Sequence, residues 1–281
     1  MSDSKTIAIL GGHGMLGTDL AAACQTRGYQ VKTYDLPEFD ITSDQQCARV
    51  LSESDIIVNC AAYTNVDGAE SSQALAHQVN AEAVGHLGTL VREHGKWLLH
   101  ISTDFVFDGQ LDRPYVEADT PNPISEYGKS KLAGETRLTE SNCSHAIVRV
   151  QWTYGSHGDN FVTKLLQRAQ TNPELRVVDD QVGSPTATIE VARALCDLVD
   201  QQARGLYHYA STGYVSRYDM ATYIVDHLGL DVTVSPCKTS DFKSPAQRPL
   251  NSRFCCDKVA ALLNTPIESW QASLQIFLEQ L

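Results

Sequence analysis

The run Thr6 to Leu10 is apolar enough to form a buried strand, and it leads without a break into Gly11-Gly12-His13-Gly14-Met15-Leu16-Gly17. Residues 15–27 then carry apolar side chains at helical spacing, Gly28 ends that helix, and residues 31–34 form a second strand closing at Asp35. A glycine-rich turn between a strand and a helix, followed by a second strand, is a βαβ unit, and it commits the chain to a parallel sheet. Gly11, Gly14 and Gly17 stand three residues apart, where a tight turn, close backbone approach to a pyrophosphate and close helix packing each require a missing side chain. A glycine triplet alone is a weak signal. Placed between an apolar strand and a helix start, it predicts a dinucleotide cradle built from Gly11, Gly14, Met15, Leu16 and Gly17.

The same alternation continues through the first half of the chain. Helical patterns cover residues 43–52 and 72–94, and buried strands cover 56–59, 97–102 and 146–150. A proline- and acid-rich loop, 112–123, precedes another helix. Beyond Gln151 the rhythm loosens into helices near 160–170, 188–201, 217–228 and 267–278 and strands near 175–178 and 206–210. The expected fold is α/β, a Rossmann-type doubly wound parallel sheet with a smaller C-terminal α/β substrate lobe. The dinucleotide-binding domain is expected over 1–152, with elements returning from about 174–202, and 153–281 mainly forms the substrate-binding lobe. The apolar face of the last helix, Trp270, Leu274, Phe277 and Leu278, reads as core packing, with a homodimer interface as the alternative.

Composition removes several functions. At 281 residues and 42% hydrophobic the chain can bury a large core. A formal charge of −12 opposes a nucleic-acid surface, so an anionic small molecule must be met by a local cluster of donors. No apolar run approaches the roughly 18 residues of a membrane span, and the lead of residues 1–5 has no signal-peptide character, so a soluble cytoplasmic protein is expected. Eight cysteines lie scattered without Cys-x-x-Cys spacing and read as reduced thiols, and no ligand periodicity suggests a metal.

The chemistry-bearing positions follow from this frame. Asp35, at the end of the second strand, is placed to accept from ribose hydroxyls and to repel a 2′-phosphate, which favours NADH over NADPH, with Asp40 and Ile41 continuing the adenine pocket. Ala61, Ala62 and Tyr63 close the third strand, where small side chains let a nicotinamide ribose pass, and Asn80 is a polar candidate to support that site. Tyr127 and Lys131 sit at i,i+4 on one helix face, where the ammonium is expected to draw the phenol pKa down. Such a tyrosine donates a proton to a carbonyl oxygen as hydride reaches carbon. Ser102-Thr103-Asp104 adds a hydroxyl upstream of this pair.

These stretches, together with Val58 to Asp67, Ser102 to Gly109, Pro121 to Glu135, Gln181 to Thr186 and Arg248 to Ser252, resemble the dTDP-4-dehydrorhamnose reductases among extended short-chain dehydrogenases. The resemblance spans nearly the whole chain. It implies reduction of the C4 ketone of a dTDP-linked 4-keto sugar by NADH or NADPH, with Tyr127 as proton donor, Lys131 on the nicotinamide ribose and Thr103 on the carbonyl oxygen. It also implies a sugar site near Thr103, Asp104, Phe105 and Trp152, with Arg248 a candidate to answer the diphosphate by charge-assisted hydrogen bonds. Phe105 stands where many relatives carry tyrosine, and Cys60 where alanine is more usual. Reduction of another nucleotide-linked 4-keto sugar, and a non-catalytic cofactor-binding subunit, are the alternatives. A dehydratase needs an acid after the Thr-Asp pair, and Phe105 cannot supply one.

Overall fold

A computed structural model describes residues 4–281; residues 1–3, part of the polar lead read above, lie outside the described residues. Strand β1 (Thr6–Leu10), helix α1 (Met15–Thr26) and strand β2 (Gln30–Tyr34) form the opening βαβ unit. Helix α2 (Asp44–Ser52) and strand β3 (Ile56–Asn59) follow. The helical stretch before the next strand is divided. It begins six residues earlier than its apolar spacing suggests, as α3 (Val66–Ser71), and continues through α4 (Gln73–His77), a π-helical turn at Gln78–Glu82 and α5 (Ala83–Glu93). Asn65 caps α3 by accepting from the Gly68 amide, a capping signal that starts a helix without an apolar stripe. Strand β4 (Trp97–Thr103), helix α6 (Glu126–Glu140) and strand β5 (Ser144–Val150) complete the first half.

The second half carries shorter pieces: β6 (Thr153–Tyr154), α7 (Phe161–Ala169), β7 (Glu174–Val178), β8 (Val182–Gly183), β9 (Thr186–Ala187) and α8 (Thr188–Gln201). Then come β10 (Gly205–Tyr209), β11 (Val215–Ser216), α9 (Arg217–Leu228), β12 (Thr233–Cys237), α10 (Asp257–Ala260) and α11 (Trp270–Leu278).

One parallel sheet organises the molecule, in the order β10-β5-β4-β3-β1-β2. The direction of winding reverses between β1 and β3, the switch point at which ligands sit against the carboxyl ends of an open α/β sheet. Both faces are covered. Leu20 and Cys24 of α1 and Val191, Leu195 and Leu198 of α8 bury one face, and Val50, Val84, Leu87 and Leu138 of α2, α5 and α6 bury the other. Strands enclosed in this way are apolar without alternation, which is why Ile56-Ile57-Val58 reads as a continuous run.

The stretch 174–202 divides between the two parts. Helix α8 packs on α1 under the sheet, whereas β7 pairs with β12 in a separate ribbon of the smaller lobe; beyond that stretch, β10 also joins the sheet, beside β5. Period and length alone do not distinguish a strand bound for the main sheet from one bound for a local ribbon. Trp270, Leu274, Phe277 and Leu278 fill the lobe's core with Tyr154, Val162 and Ile224, so the apolar face of α11 is already covered within the chain.

Candidate active site

A cavity of about 690 Å3 opens at the carboxyl ends of the strands, running from the glycine loop to the start of α9. Gly11 has φ +74, and a Cβ there would stand 2.6 Å from the Ala61 amide nitrogen. At Gly17 a Cβ would lie 2.2 Å from the Gly11 carbonyl oxygen, so α1 can leave the strand only if that residue is glycine. Gly14 differs: its Cβ would meet only the Gly11 oxygen at 3.3 Å, and Gly14 lines the cavity as the N-cap of α1. Gly14 has no side chain with which to cap that helix, which leaves its first-turn N–H groups and the positive end of its dipole to meet a pyrophosphate. The cradle thus fits a dinucleotide on local geometry alone.

Met15, Leu16, Asp35, Asp40, Ile41, Ala61 and Ala62 all line the same cavity. Asp35 also holds the loop, because its carboxylate accepts from the His13 amide at 2.9 Å and from Leu36 at 2.9 Å. Tyr63 and Asn80 stand behind the lining. Asn80 is fully buried and accepts from the Tyr63 amide at 2.8 Å, while its NH2 donates to the Tyr63 carbonyl and the Ser130 hydroxyl, each at 3.0 Å. It fixes the backbone after β3 from the π-helical turn, a distortion frequent at functional sites.

Strand β4 delivers Thr103 to the cavity, and α6 delivers Tyr127 and Lys131. Helix α6 starts at the Ser125 cap, whose hydroxyl accepts from the Gly128 amide. Gly128 allows the close approach that follows: a Cβ there would lie 2.1 Å from the Phe105 carbonyl oxygen. The Phe105 ring meets Tyr127 edge to face, 5.5 Å between centroids. The Thr103 hydroxyl donates to Asp104 at 3.1 Å, and Asp104 accepts from Ser252.

Electrostatics depart from the expected tyrosine–lysine coupling. Burial pushes the Tyr127 phenol up to about 12, an effect only partly offset by the neighbouring Thr103 hydroxyl. Lys131, also buried, is brought down to about 8, and its ammonium donates to the Ile101 carbonyl at 2.7 Å. Desolvation therefore outweighs the attraction that i,i+4 spacing suggests, and the phenol keeps its proton at neutral pH.

Two arginines stand differently toward this cavity. Arg248 lies outside the cavity lining and pairs with Asp67 at 2.9 Å, tying α3 to the C-terminal segment. Arg217, which sequence reading passed over, lies in the lining with its guanidinium 3.5 Å from the Trp152 ring centre and 4.8 Å from that of Phe161. It makes no ion pair among the described residues, and burial lowers its pKa to about 9. A cation in the first turn of a helix opposes the helix dipole, so Ser216-Arg217 at the head of α9 was the available signal. Trp152 adopts φ +45, a conformation bulky residues avoid, and Gly183 leaves space for its indole.

Comparison with known proteins agrees with this geometry. Residues 5–281 match the family described as RmlD substrate binding domain. A curated dTDP-4-dehydrorhamnose reductase from Mycobacterium tuberculosis is 37% identical, over 96% of this chain and 91% of that protein. The chain belongs to the dTDP-4-dehydrorhamnose reductase family. The enzyme of that name from Escherichia coli K12 is 32% identical over 98% of this chain and 97% of its own length. Among solved structures, the Bacillus anthracis dTDP-4-dehydrorhamnose reductase in complex with NADP superposes with a TM-score of 0.95 at 33% identity, covering 99% of this chain and 100% of that one. A Thermus thermophilus UDP-glucose 4-epimerase shares the fold at 18% identity and a TM-score of 0.84.

Proposed function

We propose that this member of the dTDP-4-dehydrorhamnose reductase family reduces the C4 ketone of dTDP-4-dehydrorhamnose, giving dTDP-L-rhamnose, with NADH or NADPH as reductant. The observation that carries this reading is the convergence of Thr103, Tyr127 and Lys131 in the cavity that begins at the glycine cradle. The nicotinamide supplies hydride when bound. Thr103 binds and polarises the carbonyl oxygen, and Tyr127, whose phenol holds its proton at neutral pH, donates that proton as negative charge develops on the oxygen. Lys131 anchors the nicotinamide ribose. Asp35 presents a carboxylate in the adenosine half of the cavity, which favours NADH over NADPH.

The sugar lies between Thr103, Asp104, Phe105 and Trp152. Arg217, the cavity's unpaired guanidinium, meets the substrate diphosphate, while Arg248 stays with Asp67 and supports that wall. The absence of any membrane-length apolar helix among the described residues and the eight unpaired cysteines support work in a reducing cytoplasm.

The test is cofactor oxidation by the wild type and Arg217→Gln with dTDP-4-dehydrorhamnose and with other 4-keto sugar nucleotides. The expected result is turnover of the first substrate, and a KM for it that rises about tenfold or more in the variant while the KM for cofactor holds, as for loss of one charge-assisted contact. Turnover confined to another sugar would reassign the substrate.

A further inference from the structure

We infer that Asn59 and His100 are positioning residues behind Lys131: Asn59 locks His100 as a neutral imidazole protonated on Nε2, and that N–H faces the lysine nitrogen. Asn59 and His100 are register partners on β3 and β4, and both are fully buried.

The hydrogen bonds leave one arrangement. The Ala61 amide can only donate, and it lies 3.0 Å from Asn59 Oδ1, which orients the side-chain amide and turns its NH2 toward His100. That NH2 also only donates, so His100 Nδ1, 3.1 Å away, must carry a lone pair. A neutral ring then has its proton on Nε2, which stands 3.5 Å from Lys131 Nζ. A second ring proton would face the Asn59 NH2 and add a buried cation beside Lys131. Burial, Lys131 and His145 together hold the His100 pKa well below its ordinary value.

An N–H aimed at an ammonium sets donor against donor, whereas a neutral amine accepts it. Glu135, on the same helix, and Cys60, after β3, act in the opposite sense and favour the lysine charge. Glu135 is engaged by Arg149 and Ser102, and the Cys60 thiol is pushed up to about 12 by burial. Tyr127, one turn earlier on α6, stays a neutral phenol at neutral pH. His100 thus steadies Lys131 against the Ile101 carbonyl and lowers the pH at which the lysine discharges. The kinetic consequence rests on the reductase reading, but the tautomer does not.

Long-range proton–nitrogen correlation on histidine-labelled wild type, assigned through the backbone, reads the ring directly. The expected result is a bare Nδ1 and a protonated Nε2 at His100 throughout the neutral range. In Asn59→Asp the carboxylate accepts from both the Ala61 amide and Nδ1–H, so the ring switches tautomer and offers Lys131 a lone pair. The basic limb of the kcat profile then moves to higher pH. His100→Gln, whose amide oxygen can face the ammonium without adding charge, moves the limb the same way. A protonated Nδ1 in the wild type, or a basic limb unmoved in both variants, overturns the inference. Lack of turnover by wild type with every sugar nucleotide would instead defeat the reductase reading, and the nitrogen spectrum would still decide the tautomer.

Discussion

At the scale of single residues, spacing exposed the groups whose roles depend on local context. Gly11, Gly14 and Gly17 are legible because turn, cradle and helix start are contiguous, and Tyr127 with Lys131 because one helical turn separates them. Arg217 and His100 were not legible in this way. Arg217 reaches the cavity only because α9 packs beside Trp152, and His100 faces Lys131 only because β4 passes under α6. The proposed proton donor, Tyr127, gives the clearest prediction at this scale. Tyr127→Phe removes the phenolic proton and leaves the ring against Phe105, so kcat should fall by about 10^2 to 10^4 while the dissociation constant for NADH changes little. Steady-state kinetics beside fluorescence titration of the cofactor separate the two, and near-normal turnover would remove Tyr127 from the chemistry.

At the scale of elements, the helix carrying Tyr127 and Lys131 is held by a buried charge network. Glu135 of α6 accepts from Arg149 of β5 at 2.9 and 2.6 Å, and the Ser102 hydroxyl of β4 donates to the same carboxylate. Both charged side chains are almost fully buried, so removing one charge strands the other. Glu135→Gln should therefore cost about 3 to 5 kcal/mol of unfolding free energy in urea titrations, far more than an exposed pair such as Lys32–Glu53. Elements marked by a continuous apolar run or bounded by clear start and stop residues, β1, α1, β3, β5 and α9, were legible near to their ends. The π-helical turn was not, because Asn80 imposes it through a bond to Tyr63 seventeen positions away. Nor were the two-residue strands β6, β8, β9 and β11, which are too short to carry a period and exist through pairing across the lobe.

At the scale of the whole molecule, burying neutral histidines makes stability depend on pH. His208 lies beside Arg149 under Phe107 and Phe254, and burial followed by the Arg149 charge lowers its pKa from 6.5 to about 3. His100 shifts in the same direction. A base whose folded pKa is depressed lets the unfolded chain bind the proton first, so stability is full above pH 6.5 and falls as pH drops toward about 3. Thermal unfolding followed between those limits should trace that loss, and a folded His208→Gln should make it shallower, with the His100 contribution remaining; a pH-independent midpoint in the wild type would contradict it. The fold class, a doubly wound parallel sheet, was legible from the alternation of strands and helices, while the assignment of β7 and β10 to different sheets was not, since both are five-residue strands that mix polar with apolar side chains.

In the proposed reaction, hydride and proton meet at one carbonyl in the cavity between the glycine cradle and α9. Incubation with nicotinamide-deuterated NADH and dTDP-4-dehydrorhamnose, with the product examined by NMR, tests it most directly. The expected product is dTDP-L-rhamnose carrying deuterium at C4 alone, formed by wild type and lost in Tyr127→Phe. Consumption of the sugar without deuterium at C4, or label at another carbon, would contradict it.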